Sequence, residues 1–570
     1  MTAFPVHDTD VLIVGGGLAA LRVALSARQA GADVIVAVKR RLGQSGSSAN
    51  TSGGYAAASP ELDPEDSAWQ HYADTIAGGG WVNERGLVRA VTDEAPARLR
   101  ELWEIGAQFQ RRNGQYYLSP SGDHRHPRVL VPVHMRGTDV TLPMRDVVIA
   151  AGVHLLENTL VVDLLCDDGR VAGAVGLRRD AVGGCLIRAR AVVLAAGGAG
   201  RLFSVTSNPV DVTGGGYALA ARAGVPLRDM EFIQFYPWRL VRPFKNSRVP
   251  VQPSTFVTGG RLYNSRGERF MERYDAVKKE AATRDVSAQG IFDQIRFGLS
   301  VDGGVVLDVS DVSDEQFRFQ NPKVIERLEP RGINYREIPL IIAPEAHFFM
   351  GGVMTTDTGA TPVEGLFAAG ENAGGAHGGN RLNSNAIPET QVMGHRAGLA
   401  AAALRGRAPG RVDERLARAW ETRLAGVRDE TTDASPAMDA LLAELQQKMW
   451  LGLGIVRTAE GLTRALADTA AIRDRLAGTP HETIGNLVAG IELEDLCTTG
   501  VAIASGALLR TESRSAHYRE DFPDTDPAWL RTIVYQGGRV STRPIEHDPD
   551  EETRFQARPA APASPNDFVE

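Results

Sequence analysis

Arg381 stands in the run His377-Gly378-Gly379-Asn380-Arg381-Leu382-Asn383-Ser384-Asn385, shortly after Gly365-Leu366-Phe367-Ala368-Ala369-Gly370-Glu371. A guanidinium fork grips a carboxylate through two parallel hydrogen bonds. Glycine lets backbone approach a ligand closely. One arginine in a glycine-lined turn, beside a strand-end glutamate, suits a buried anionic site against a cofactor. A second glycine signature, Gly15-Gly16-Gly17-Leu18-Ala19-Ala20, lies at the far end of the chain. Both segments converging on one ligand requires a large, multi-element scaffold.

The elements around the second signature are readable. Asp10 to Val14 is a short apolar run, Leu21 to Ala30 has helical periodicity, and Val34 to Val38 is apolar again. Strand, G-x-G-x-x-A turn, helix and strand form a βαβ unit that receives a pyrophosphate at the helix N-terminus. Gly15, Gly17 and Ala20 are its fingerprint positions; the alternative is a tight turn needing glycine for packing only. The second strand ends in Lys39, not the acid that would hold ribose hydroxyls, so the ribose contact is not assignable. Ala191 to Gly200 repeats the pattern of strand opening into glycines, and Thr213 to Gly216 leads into a helix over Ala218–Ala223. Residues 226–345 lose this alternation, as an inserted cap would. Beyond 406, Leu416 to Leu424, Met438 to Met449 and Glu460 to Leu476 have helical spacing, and the stretch from 546 reads as a loose tail.

Bulk properties narrow the classes. A chain of 570 residues exceeds one core and predicts two to three domains. It holds 61 glycines, well above the usual ~7%, gathered in turns rather than in a repeat. A net charge of −8 disfavours nucleic acid as a partner. Three scattered cysteines, Cys166, Cys185 and Cys497, offer neither a disulfide framework nor a C-x-x-C cluster site, so no metal site is expected. No uncharged apolar run reaches the ~18 residues of a membrane span, and the N-terminus lacks a signal-peptide pattern. A cytoplasmic protein without a membrane span is expected.

Ordered motifs along residues 10 to about 530 carry a family resemblance. They include Gly15–Ala20, Ser52-Gly53-Gly54, Ala195-Ala196-Gly197-Gly198, Asp229 to Phe235 and Gly267 to Met271. Thr283-Arg284-Asp285-Val286, His347 to Gly352, Asn380-Arg381-Leu382 and Glu512 to His517 continue the series. The chain resembles the flavoprotein subunits of fumarate reductase and succinate dehydrogenase, with L-aspartate oxidase and adenylylsulfate reductase as relatives. The resemblance implies an α/β fold: a Rossmann-like FAD-binding domain (1–225 and 346–405), an inserted α+β cap domain (226–345) and a helical C-terminal domain (406–545), followed by a tail (546–570). It implies an FAD-dependent oxidoreductase in which hydride passes between flavin N5 and a carbon while an arginine moves a proton at the neighbouring carbon.

Arg284 matches that arginine; without the resemblance, an ion pair with Asp285 or Glu280 would serve equally. His347 matches a substrate-carboxylate ligand able to become cationic near neutral pH, its alternative being a core histidine satisfied by backbone. Arg381 matches a second clamp on a small carboxylate-bearing substrate. The cofactor-binding set comprises Gly15, Gly17, Ala20, Lys39, Ser45, Gly53, Gly54, Ala196, Gly197, Glu371, Arg381, Ser384 and Asn385. Ser384 and Asn385 open a helix whose N–H groups would face the flavin; plain capping would explain Ser384 as well.

Four departures matter. Residues 40–55 contain no histidine, so FAD is expected to be non-covalent. Tyr236, a fourth candidate catalytic residue beside Arg284, His347 and Arg381, and Trp238 replace a histidine and a threonine of the family; a phenol can donate once but does not become cationic, and the indole is expected to reshape the pocket. Thr258 and Phe256 occupy the expected proton-relay positions, and Gly215 replaces an acid. Succinate and fumarate themselves become less expected, and the source of the proton for Arg284 is open. The leading reading is redox chemistry at a C–C bond next to a carboxylate or carbonyl. Its alternatives are aspartate-oxidase-like C–N dehydrogenation with oxygen, an electron-transfer subunit serving an iron–sulfur or ferredoxin-type partner, and a flavin-binding protein with a dead site.

Overall fold

The computed structural model describes residues 4–244, 249–408, 410, 414–430 and 435–546; the expected tail lies almost wholly outside them. Strand Val6–Val14 is central to a seven-stranded sheet. It pairs in parallel with Val34–Ala37 on one side and Gly184–Leu194 on the other. His154–Leu156 extends the first edge in parallel, and Arg170–Arg178 and Thr159–Asp167 extend the second antiparallel. Leu366–Ala368 lies parallel to the C-terminal end of Gly184–Leu194, which brings the segment before Glu371 beside the N-terminal fingerprint.

The central strands read as unbroken apolar runs because both faces are covered. Val11, Ile13 and Ala191 pack against the helices Leu18–Gln29 and Ala386–Ala402. These helices approach closely because Gly398 stands where a Cβ would meet Val23 O at 2.7 Å. Leu12, Val14 and Val192 face the opposite core, which continues through Tyr217 to Met449 and Cys497 of the C-terminal helices. That shared core fixes the helical region to the seven-stranded sheet.

The cap is an antiparallel sheet in the order Ile233–Arg242, Leu340–Phe349, Val305–Asp308, Arg261–Tyr263, with helix Arg284–Arg296 against it. The expected boundary at 345/346 falls inside strand Leu340–Phe349. Glu345 and His347 therefore share one face of a strand that spans both regions. The C-terminal region contains the expected helices, Glu414–Leu424, Pro436–Leu453 and Ala459–Ala477, and a longer one, Ile484–Leu509.

It also departs from an all-helical plan. Arg531–Gln536 and Arg539–Pro544 form a hairpin, and the first of these pairs with Leu227–Arg228. Its turn is Gly537-Gly538, both at positive φ, the two-residue geometry that suits a hairpin. No helix among the described residues is long and apolar enough to cross a membrane.

Candidate active site

A cavity of ≈ 580 Å³ runs between the nucleotide-binding lobe and the cap. One end is built from glycine turns. Gly15 has φ +128°, and a Cβ there would stand 2.1 Å from Ala195 O; only glycine lets the two strand ends meet. At Gly54 a Cβ would meet Leu130 O at 2.4 Å. Ser384 Oγ accepts from Gly54 N–H at 3.0 Å, which pins that turn to the start of helix Ala386–Ala402. Ser384 itself lies at φ +64°.

Gly15, Gly17, Lys39, Ser45, Gly53, Gly54, Ala196, Gly197, Glu371, Arg381 and Ser384 all line the cavity. Ala20 and Asn385 do not. Ala20 is fully buried in the helix–sheet core, the packing role its fingerprint position has. Asn385 turns away, accepting from His71 Nε2 at 2.8 Å and donating to Thr75 Oγ1 at 3.0 Å. Lys39 Nζ donates to Thr213 Oγ1 and to Glu492 Oε1, at 2.7 and 2.9 Å, so a lysine–glutamate pair stands where a ribose-binding acid was sought.

The other end is cationic. Arg284 and Arg381, 6% and 4% exposed, both donate to Gln234 Oε1, at 3.0 and 2.8 Å. Arg284 also donates to Asn383 Oδ1 and lies over the Tyr236 ring at 5.1 Å. Arg381 lies 4.7 Å over Phe348, and its Nε is unpartnered. Asp285 and Glu280 do not neutralise Arg284: Asp285 accepts from Asn380 and Glu280 pairs with Arg269. Among the described residues neither guanidinium has a carboxylate within pairing distance. Burial lowers both arginines from their ordinary value; Arg381, facing Arg284 as well, falls to about 9. Glu371 accepts from Phe349 N–H at 3.1 Å, and burial pushes its carboxyl up to about 7.

Three expectations are corrected here. His347 contacts Ser207 Oγ through Nδ1 at 2.7 Å. Burial, then Arg381 and Arg284, hold it well below the ordinary imidazole range, so it is neutral rather than cationic. Tyr236 donates its hydroxyl to Val251 O; the phenol is committed to backbone, and the ring serves as a platform for Arg284. Trp238 stacks on Phe256 with centroids 4.6 Å apart and does not line the main cavity, so it cannot reshape it directly.

Uncharged residues were missed as site members. Gln234 joins the two arginines and donates from Nε2 to Asn380 Oδ1 and Arg381 O. Asn383 links Arg284 to Asp123, whose Oδ2 accepts from Asn383 N–H at 2.6 Å. Gln234 stands within a recognised motif, but amide side chains have no charge signature to separate them from ordinary hydrogen-bonding residues. At the rim, Lys323 donates to Ser52 Oγ at 2.7 Å and Arg136 pairs with Glu326, closing the cap helix Pro322–Leu328 onto the lobe below.

An elongated cavity cradled by backbone at one end and unneutralised cations at the other fits a dinucleotide with its reactive ring beside an anion. That defines a class: flavin-dependent oxidoreductases whose cap completes the substrate site. The FAD binding domain family matches residues 10–387, and the Fumarate reductase flavoprotein C-term family matches residues 442–561.

The chain belongs to the fumarate reductase/succinate dehydrogenase flavoprotein family and is an FAD-dependent oxidoreductase. It is 38% identical to one of the subunits of the CoM/CoB fumarate reductase of Methanothermobacter marburgensis, over 93% of this chain and 97% of that one. It is 34% identical to L-aspartate oxidase 1 of Ralstonia nicotianae, over 94% and 99%. A solved FrdA mutant of Escherichia coli quinol fumarate reductase superposes with a TM-score of 0.87 at 28% identity, covering 98% of this chain and 99% of that one.

Proposed function

We propose that the enzyme transforms a C–C bond adjacent to a carboxylate or carbonyl of a small anionic substrate. The observation that carries this reading is the pair of buried arginines sharing one amide oxygen with no carboxylate counter-ion among the described residues. Such a pair is completed by an anion, and in a dry site each charge-assisted bond is strong. Bound in the glycine cradle, FAD supplies hydride exchange with the substrate carbon. The wall Ser45–Gly54 has no histidine, which supports non-covalent binding.

Arg381 and neutral His347 orient the substrate anion. Arg284 delivers a proton to, or removes one from, the carbon beside the one that exchanges hydride. Its pKa, lowered from the ordinary value by burial, brings it closer to this task. The committed Tyr236 hydroxyl removes a clamp and argues for a carboxylate other than succinate or fumarate. The three cysteines are free and far apart, so one-electron traffic needs an iron–sulfur or ferredoxin-type partner; free thiols also suit the cytoplasm.

A second reading, C–N dehydrogenation with oxygen, draws on the likeness to L-aspartate oxidase 1 over nearly the full length of both chains. Anaerobic bleaching of the flavin by a panel of carboxylates and amino acids, and reoxidation of the dithionite-reduced form by enoates, separates the two. Peroxide formation with an amino acid as sole donor would displace the C–C reading. An Arg284→Met variant with undiminished turnover would remove the assigned proton carrier.

A further inference from the structure

Behind Arg284, on the side away from the main cavity, lies a second hollow of ≈ 10 Å³. That is about the space one water needs. Ser121, Asp123, Trp238 and Arg284 bring polar groups to its walls, and Pro253 and Ala282 are among the residues that close it. Trp238 is 2% exposed, and its indole N–H, a donor only, has no partner. A buried donor left unsatisfied costs about 1–3 kcal/mol, so this one points to a ligand that accepts.

Asp123 has acceptor capacity to spare. Its Oδ1 takes the Ser121 hydroxyl and its Oδ2 takes Asn383 N–H, while an ionised carboxylate offers about four lone-pair sites. It is partly exposed, whereas Arg284 is buried. The other groups around Arg284 are unsuited to recharging it: Glu345, a buried carboxylate that also lines the main cavity, is held against Arg239 at 3.6 Å. Tyr236 is committed to Val251, Arg381 is itself cationic, and His347 is held neutral between them. Asp285 is turned to Asn380 and lines neither hollow. The positions expected to carry a relay, Phe256 and Thr258, are occupied by a ring stacked on Trp238 and a hydroxyl bonded to Ser254 O.

We propose that Asp123 and one water held in this hollow by Trp238 form the proton relay that serves Arg284. The inference rests on the C–C reading of the site. In the reductive direction Arg284 gives a proton to the substrate carbon and becomes a neutral guanidine. The Asp123 carboxylate takes a proton from solvent, the water passes one to that guanidine and takes this one from the carboxyl, and Asp123 is left ionised as it began; every step moves one proton and no electrons. Burial raises the Asp123 carboxyl, but His124, Arg284 and its two hydrogen bonds overcome this and hold it below the ordinary value. Asp123 therefore rests ionised, and a proton it takes from solvent passes downhill to a neutral guanidine.

A crystal structure of the FAD-loaded enzyme at a resolution that shows ordered water should reveal one molecule bridging Trp238 Nε1, Asp123 and Arg284. A dry hollow overturns the proposal. In solution, dithionite-reduced enzyme is reoxidised by fumarate, maleate or crotonate, with ferricyanide as an acceptor that needs no proton on carbon. Asp123→Asn should slow the enoate reaction at least tenfold and raise its solvent deuterium isotope effect, leave the ferricyanide rate unchanged, and be rescued in part by Asp123→Glu. Wild-type reoxidation matched by Asp123→Asn refutes the relay alone. Wild-type enzyme inert to every enoate refutes the C–C reading and the relay with it. If Asp123→Asn loses its flavin, the crystallographic water decides.

Discussion

Removing Arg381 tests the charge arrangement most directly. Its guanidinium is buried beside a second buried guanidinium, and the fall from an ordinary 12.5 to about 9 corresponds to about 5 kcal/mol disfavouring its charged form. A bound dianion relieves that cost, so ligand affinity should depend on the protonation of Arg381. The sign follows from its being a base whose folded value is depressed. Below about 9 the charge is present and the anion binds; above it the folded protein sheds the proton and affinity falls up to tenfold per pH unit.

Malonate, a non-reactive dicarboxylate, is the probe, titrated against the FAD-loaded enzyme by calorimetry and by its perturbation of the flavin spectrum. Its dissociation constant should be flat from pH 7 to 8 and climb between 9 and 10. Arg381→Met should abolish that climb and weaken binding at pH 7 by at least about thirtyfold, since truncating one partner of a buried charged contact costs about 2–5 kcal/mol. Malonate binding that is flat through pH 10, or unchanged in Arg381→Met, would refute the argument that these arginines await an anion.

Gly54→Ala places a methyl 2.4 Å from Leu130 O and should yield protein with a sharply reduced flavin-to-protein absorbance ratio. Glu371, raised to about 7 from 4.5, holds more protons folded than unfolded between those values, so stability should decline as pH rises through that window. The thermal midpoint of apo-protein should fall between pH 5 and 8, and Glu371→Gln should flatten the dependence. Tyr236→Phe removes a donor bonded to Val251 O. It should cost about 1 kcal/mol of stability, read by denaturant titration of the cap, and change turnover less than threefold; a hundredfold loss would show that the hydroxyl reaches substrate.

The glycine-lined half of the cavity was more legible in the sequence than the cationic half, for a physical reason. Gly15 and Gly54 are demanded by backbone crowding that no other residue survives, and such demands are local and appear as motifs. Gln234, Asn383 and Asp123 owe their roles to where three distant segments meet, and nothing in the chain near each residue announces that meeting. The helices from 414 to 477 were legible through their apolar spacing. The Arg531–Pro544 hairpin was not, because its strands are six residues each and one pairs with Leu227–Arg228, some three hundred residues away.

Electrostatic character was the least legible property. An imidazole that titrates near neutrality in water loses that capacity when buried between two guanidiniums, as at His347. A phenol that can donate in general cannot donate twice, as at Tyr236. Residue type sets what a side chain is able to do, and its neighbours decide which of those capacities remain for a substrate. Here they leave Arg284, Arg381 and a neutral His347 around one hollow. What those neighbours leave open is an anion held by fixed charge, and proton transfer at Arg284 is the step proposed for it.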